Sequence, residues 1–351
     1  MTNNKHKKEY KEQIVVCCSA IRGTAAAKPL SSVFCHPSSE RGFTLIEMMI
    51  ALTIGLMIIA ALVSVLITNS QSAKSNDRTA ELQSNGRFAL DHLRREIHHA
   101  GYRGYTWEQP NPPTTSITVT NECLDGGAAD SFVVNIRQGI WGANDSNPYA
   151  SNCLPTAKYV RGDVLVIRRA ASQTTAAASL VANTLYLRST YAAGEVFQGT
   201  AQPVMGGTPL ANFALQEYVY YIGNDDTDAT LPALRRVKLD VNEMKDEMVV
   251  SGIEHMQVQY GIVDTALNTR YFDANNITGA STSAAKTSWD GADGVNSARI
   301  WLLARNSKVE TGYTNTNTYE MGDLTTANGK AYIVNDGYRR QLFTAVVQLR
   351  N

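Results

Sequence analysis

Arg41-Gly42-Phe43-Thr44-Leu45-Ile46-Glu47 opens the stretch that decides the fold. The 26 residues that follow, 48–73, carry no charged side chain. As a helix they extend about 39 Å, at 1.5 Å per residue. Their apolar heart, 48–67, has the length needed to cross the hydrocarbon core of a bilayer. A buried core helix rarely runs so far without a polar stripe, so the run predicts a membrane span. Residues 1–42 hold seven Lys and Arg against three Glu, net +4. The whole chain balances 32 basic against 32 acidic residues, so the remainder is net −4. A basic flank ahead of the span keeps 1–42 cytoplasmic and sends the C-terminal bulk across the membrane. The run is too long for a cleavable secretory signal, and no small-x-small site follows it closely.

Glu47 stands alone at the start of this apolar run. An ionised carboxylate at membrane depth is costly unless it is paired, which marks Glu47 as functional. A tolerated acid snorkelling to the interface is the bland reading of the same residue.

The motif from Arg41 to Glu47 resembles the class III signal of type IV pilins and type II secretion pseudopilins. The resemblance implies that a prepilin peptidase cuts after Gly42 and that the new N-terminal residue, Phe43, is N-methylated. It also implies that Glu47, the fifth mature residue, is retained. The physics agrees: a cationic amine on Phe43 and a carboxylate on a neighbouring subunit are each costly in lipid, and neutralise one another when helices stack. Glu47 then sets the axial register of a subunit entering a filament. The leader of 42 residues is longer than such leaders usually are, and no Met lies between Met1 and Met48. A non-AUG start at Val33 would leave a ten-residue leader.

Beyond the span the pattern turns amphipathic. Leu82, Ala89, Leu93, Ile97 and Ala100 recur at helical steps, with Phe88 and Leu90 beside them. Asp77, Arg78, Glu81, Arg87, Asp91, Arg94, Arg95 and Glu96 mostly occupy the other face. No proline interrupts 43–105, so one helix over about 43–100 is expected, with Gly101 and Gly104 as its stop. Gly55 and Gly86 mark points of bending or close packing. The stretch 85–104, with Gly86-Arg87-Phe88-Ala89-Leu90 leading to Ala100-Gly101-Tyr102, resembles the PilW family of minor pilins. That family is similar in turn to the J-type pseudopilins.

Prolines 110, 112 and 113 then break the chain, and short alternating or apolar runs follow. Antiparallel strands are expected near 115–120, 131–137, 158–168, 184–188, 214–222, 234–240, 253–263, 297–305 and 341–349. The stretch 170–183 reads as a loop or short crossover, and 265–296 and 306–335 read as long surface loops. Gly252 to Gly261, Ala298 to Arg305 and Tyr338 to Asn351 again resemble PilW. The resemblance is weakest across 105–250 and 265–296.

Cys17, Cys18 and Cys35 lie in the leader and are expected to be reduced. Cys123 and Cys153 are the remaining pair, and a disulfide between them is expected in an oxidising periplasm. No GxSxG, HExxH, CxxC pair or Walker loop occurs. His92, His98 and His99 share a helix and read as a solvated surface rather than a metal pair. The acid runs 224–228 and 290–294 carry oxygen ligands of the kind calcium takes, but neither has the EF-hand spacing, and solvated turns are expected. The 16 tyrosines, Tyr218, Tyr220 and Tyr221 among them, read as half-buried strand residues. A net negative mature chain disfavours nucleic acid.

The expected architecture is α+β and pilin-like, a long N-terminal helix packed on a predominantly antiparallel β domain. Its expected parts are a cleaved leader (1–42), a transmembrane half-helix (43–68), an amphipathic half-helix (69–104) and a periplasmic β-rich domain (105–351). The resemblance implies a non-enzymatic minor pilin without cofactor or metal, held once through the inner membrane and then placed in a pilus, at its tip. It implies that the chain primes or caps the filament and serves adhesion and twitching motility. The implied partners are other minor pilins, the major pilin, the inner-membrane assembly platform, the prepilin peptidase and a tip adhesin. A J-type pseudopilin of a type II secretion system is the alternative.

Overall fold

The computed structural model describes residues 42–124, 131–264, 267–277, 281–282, 285–286, 288–289 and 294–350. The leader up to Arg41 with its three cysteines, and most of the acid run 290–294, lie outside the described residues. The chain divides into two units, Met1–Val63 and Ser64–Asn351.

The helix α1 runs Leu45–His98. Its part within the first unit is apolar and exposed along almost its whole length. Within the second unit its stripe of Leu82, Gly86, Ala89, Leu93 and Ile97 is buried, at the spacing that brings side chains onto one face. The helix stops where expected, because Gly101 (φ 77°) takes a backbone turn that L side chains resist.

The second unit continues with α2 (Ser131–Val134), β1 (Ile140–Ala143), β2 (Arg161–Thr175), β3 (Leu185–Ser189), β4 (Gly194–Gln198), β5 (Ala211–Asn224) and β6 (Pro232–Asp240). Then come β7 (Glu243–Ser251), β8 (Ile253–Val263), β9 (Thr269–Asp273), β10 (Ser281–Thr282), β11 (Ala285–Lys286), β12 (Ser297–Arg305), β13 (Thr318–Tyr319), β14 (Tyr332–Ile333) and β15 (Arg340–Gln348). Seven strands form one antiparallel sheet in the order β1-β2-β5-β3-β4, with β6 also on β5 and β7 on β6. Four form a second, β15-β12-β8-β9.

The α1 stripe closes a core between the two sheets, against Ile140, Leu165, Ile167 and Tyr220 of the first and Met256, Val258, Ile300 and Leu302 of the second. Strand β2 is buried on both faces, so Val164 and Val166 point instead into a further cluster with Cys123, Phe132, Ile136 and Cys153. Leu303, on the far face of the second sheet, packs under Tyr319, Met321 and Val334.

Several expectations are corrected. The segment 115–120 forms no strand; Thr120 makes one isolated bridge to Glu243, and Thr118 exchanges hydrogen bonds with the Gln198 side chain at the end of β4. Residues 131–137 begin as the short helix α2, because the Glu122 carboxylate accepts the free N–H groups of Phe132 and Val133. An apolar run this short does not distinguish strand from helix. Strand β2 reaches Thr175 through a register shift against β5, into the region expected to be loop. The region 265–296 contains β9, and β1, β4 and β7 had no clear alternation to reveal them.

Candidate functional site

The exposed N-terminal part of α1 is the first element of the site. Phe43 is 82% exposed and Leu45 78% exposed, and large apolar side chains stay exposed through Ile67. Thr44 stands just ahead of the helix with Glu47 three residues on. The N–H and hydroxyl of Thr44 donate to Glu47 Oε2 at 3.0 and 2.9 Å. The Glu47 N–H returns a bond to Thr44 Oγ1 at 3.3 Å. This reciprocal pair is a capping box, which satisfies two of the N–H groups a helix start leaves free. It holds one carboxylate oxygen at the start of the apolar run. Oε1 takes no hydrogen bond among the described residues and is open to a further donor.

Gly42 and Phe43 stand just ahead of α1, and Glu47 lies in its first turn. Cys123 and Cys153 are joined in a disulfide, with Cα atoms 4.8 Å apart, inside the cluster behind β2.

The second element is how α1 is held within the second unit. The ring of Phe343 fills the space that a side chain on Gly86 would take. His92 Nε2 and the Tyr220 hydroxyl share a 3.0 Å hydrogen bond. Burial, with Arg236 nearby, keeps the His92 pKa below its ordinary value. Glu96 pairs with Arg169 at 3.0 Å. His98 Nδ1 meets the carbonyl of Gln348 at 3.1 Å, and the Arg350 N–H donates to the carbonyl of His98 at 3.0 Å. Of the three helix histidines, His92 and His98 are therefore docking contacts of α1.

Sequence reasoning left Arg339, Arg340, Glu254 and Glu310 without a role. Glu310 is buried and accepts from Ser75 Oγ at 3.2 Å and from Arg339 Nε at 2.7 Å, tying α1 to the strap before β15. Arg340 is bound by both Glu254 and Asp336, the latter through two bonds of 2.7 Å. Glu254 also accepts from the Tyr332 hydroxyl at 3.2 Å. Burial opposes the charge on Arg340, yet the two carboxylates hold its pKa above the ordinary value. The only sequence signal was a pair of arginines opening an apolar strand.

The acid run 224–228 is spent within its own turn. Asp225 Oδ1 accepts from Thr227 and Asp228, Asp228 Oδ1 accepts from Thr230, and Asp226 pairs with Arg235 at 2.6 Å.

Residues 37–63 match the prokaryotic N-terminal methylation motif, and residues 219–351 match the family described as Type IV Pilus-assembly protein W. No curated protein matches the chain. Among solved structures it is similar to the type IV-like pilin TTHA1219 from Thermus thermophilus, at 14% identity and a TM-score of 0.33. That alignment covers 78% of this chain and 95% of the other. The methylation motif and the exposed apolar helix fit a membrane-anchored pilin. The two matched segments, one near each end, support a PilW-type minor pilin.

Proposed function

We propose that the chain is a membrane-held subunit that primes or caps a type IV pilus by packing its N-terminal helix against those of neighbouring subunits. The apolar part of α1 stores it in the inner membrane, with residues 105–351 in the periplasm. Prepilin peptidase cuts after Gly42 and frees the amine of Phe43, which is then N-methylated. Glu47 of one subunit meets the amine of the next, so that two charges costly in lipid become one neutral pair. The mechanism needs no cofactor and no bond-making step by this chain. Its partners in this reading are other minor pilins, the major pilin, the assembly platform and a tip adhesin, and its final place is the pilus tip.

A single observation carries the reading: one carboxylate, with an oxygen left open, at the head of a helix whose apolar side chains are exposed. N-terminal mass spectrometry of the assembled protein tests it. A mature chain beginning at methylated Phe43 is expected, and one retaining residues 1–42 overturns it. The J-type pseudopilin reading predicts the same processing. It separates by which deletion phenotype appears, loss of surface filaments or loss of type II secretion.

A further inference from the structure

Behind the first sheet, two charged side chains face one another across a strand pair without meeting. Arg168 of β2 and Glu217 of β5 are directly opposite in the register, so they leave the sheet on the same face. They enter the cluster that holds Val164, Val166, Leu215 and Val219. Both are buried, Glu217 fully. Opposite charges at such a position stabilise a strand pair by meeting. Here neither Glu217 oxygen has a hydrogen-bond partner among the described residues.

The guanidinium is engaged elsewhere. Arg168 Nε donates to the carbonyl of Phe132 at 3.0 Å, and Nη1 to the carbonyl of Gln138 at 3.2 Å. Its Cζ lies 4.1 Å from the centre of the Phe132 ring. It thus holds both ends of the segment 132–138. One arginine therefore stands between two buried carboxyl groups. Glu122 accepts the N–H groups of Phe132 and Val133, and Glu217 accepts none. Burial raises the Glu217 pKa well above the ordinary value, against the pull of Arg168, and Glu122 adds to the rise. From β6 and β7 the same cluster takes Val237, Leu239 and Met244, and from the loops Tyr102, Tyr105, Tyr149 and Tyr159. Farther along β5, Tyr221 donates to Asp246 of β7, which is paired with Arg235 of β6.

Arg168 also carries the end of α1. Its carbonyl accepts the Gly101 N–H and its own N–H donates to the Gly139 carbonyl, each at 2.9 Å. Gly139 backs onto Gly101 so closely that a side chain on it would strike the Gly101 backbone. The segment that the guanidinium holds thus leads directly into the backbone on which α1 ends.

An ionised Glu217 without a donor is costly at this depth. The relief at hand is the guanidinium opposite. A carboxylate draws a guanidinium more strongly than neutral carbonyls do, and can take it in a two-bond fork. From its present position the guanidinium reaches neither oxygen, so pairing moves it away from Phe132 and Gln138.

We propose that Arg168 is a pH-operated latch: with Glu217 protonated it holds 132–138 and so seats the end of α1, and with Glu217 ionised it turns to the carboxylate and lets that segment loosen. The latch rests on the packing of the second unit and not on the function proposed above.

Amide hydrogen exchange of the full-length chain in detergent tests it, read as protection factors so that the intrinsic effect of pH on exchange divides out. The amides that report are those of Phe132, Val133, Gln138 and Gly101, each hydrogen-bonded in the structure. Between about pH 6 and about pH 9, where buried glutamates ionise, their protection is expected to fall about tenfold or more, while that of β8 and β12 holds. Glu217→Gln cannot ionise and is expected to keep its protection across the range. Glu217→Met is expected to do the same, and covers a glutamine variant that misfolds. Arg168→Met has no guanidinium to hand over and is expected to show low protection at both ends of the range. No fall in the native chain, a fall shared by β8 and β12, a fall that persists in both Glu217 variants, or a pH step that persists in Arg168→Met would overturn the proposal.

Discussion

The ring of Phe343 on β15 lies where a side chain on Gly86 of α1 would have to go. The helix approaches the second sheet closely only because residue 86 has none. In an exposed helix Gly→Ala stabilises by up to about 1 kcal/mol. Here Gly86→Ala is expected to destabilise by about 1–3 kcal/mol through overpacking, and Gly86→Val by more. Denaturant unfolding of the detergent-solubilised chain measures this, and a raised midpoint would mean that helix and sheet are not in close contact there.

Glu47 has two separable roles, cap and charge. Glutamine can also serve in a capping box, so Glu47→Gln keeps the bond to Thr44 and loses the charge. If the proposed pairing with the Phe43 amine sets register, Glu47→Gln is processed after Gly42 but enters filaments as poorly as Glu47→Leu. Thr44→Ala, which loses the cap and keeps the charge, assembles. Immunoblots of sheared filaments against whole cells read all three, and normal assembly of Glu47→Gln would leave the carboxylate with a capping role alone.

The disulfide Cys123–Cys153 closes a loop with a sequence separation of 30. By loop entropy it contributes about 3–4 kcal/mol. The double variant Cys123→Ala, Cys153→Ala is expected to lose that much, seen as a lower unfolding midpoint. Adding reductant is expected to lower the midpoint of the native chain and not of the variant.

Two buried groups shape the pH profile in opposite directions. Glu217 is fully buried, and neither of its oxygens finds a hydrogen-bond partner among the described residues. Burial raises its pKa well above the ordinary value, against the pull of Arg168 across the strand pair. The folded chain keeps a proton that the unfolded chain has lost. Stability is therefore full below the ordinary carboxylate range and falls as pH rises through the raised value. His255 behaves conversely. Burial, then Arg161, lowers it from 6.5 to about 4. Stability is full above pH 6.5 and is lost as pH falls toward 4. A shift of that size corresponds to about 3 kcal/mol. Glu217→Gln is expected to flatten the alkaline limb of midpoint against pH, and His255→Phe the acid limb. Parallel, unflattened limbs in both variants would count against these assignments.

Local patterns made much of the molecule legible. The uncharged run 48–73 and the stripe from Leu82 to Ile97 show the helix and its two environments, because helical periodicity and bilayer length are properties of neighbouring residues. The pairing of Cys123 with Cys153 was legible too, since the leader sets the other cysteines apart. Alternation in 253–263 and 297–305 showed strands β8 and β12, but not that they lie side by side.

What only the tertiary structure decided is non-local. The Glu254–Arg340 pair joins residues 86 positions apart, and Ser75 meets Glu310 across 235. The segment 131–134 became helix because Glu122, outside it, accepts its first N–H groups. Strand β7 has the charges of a loop and is a strand because β6 offers it a ladder. Periodicity reports which face of an element is buried; it does not report against what, since that depends on sheet order and register, which are set by contacts between distant parts of the chain.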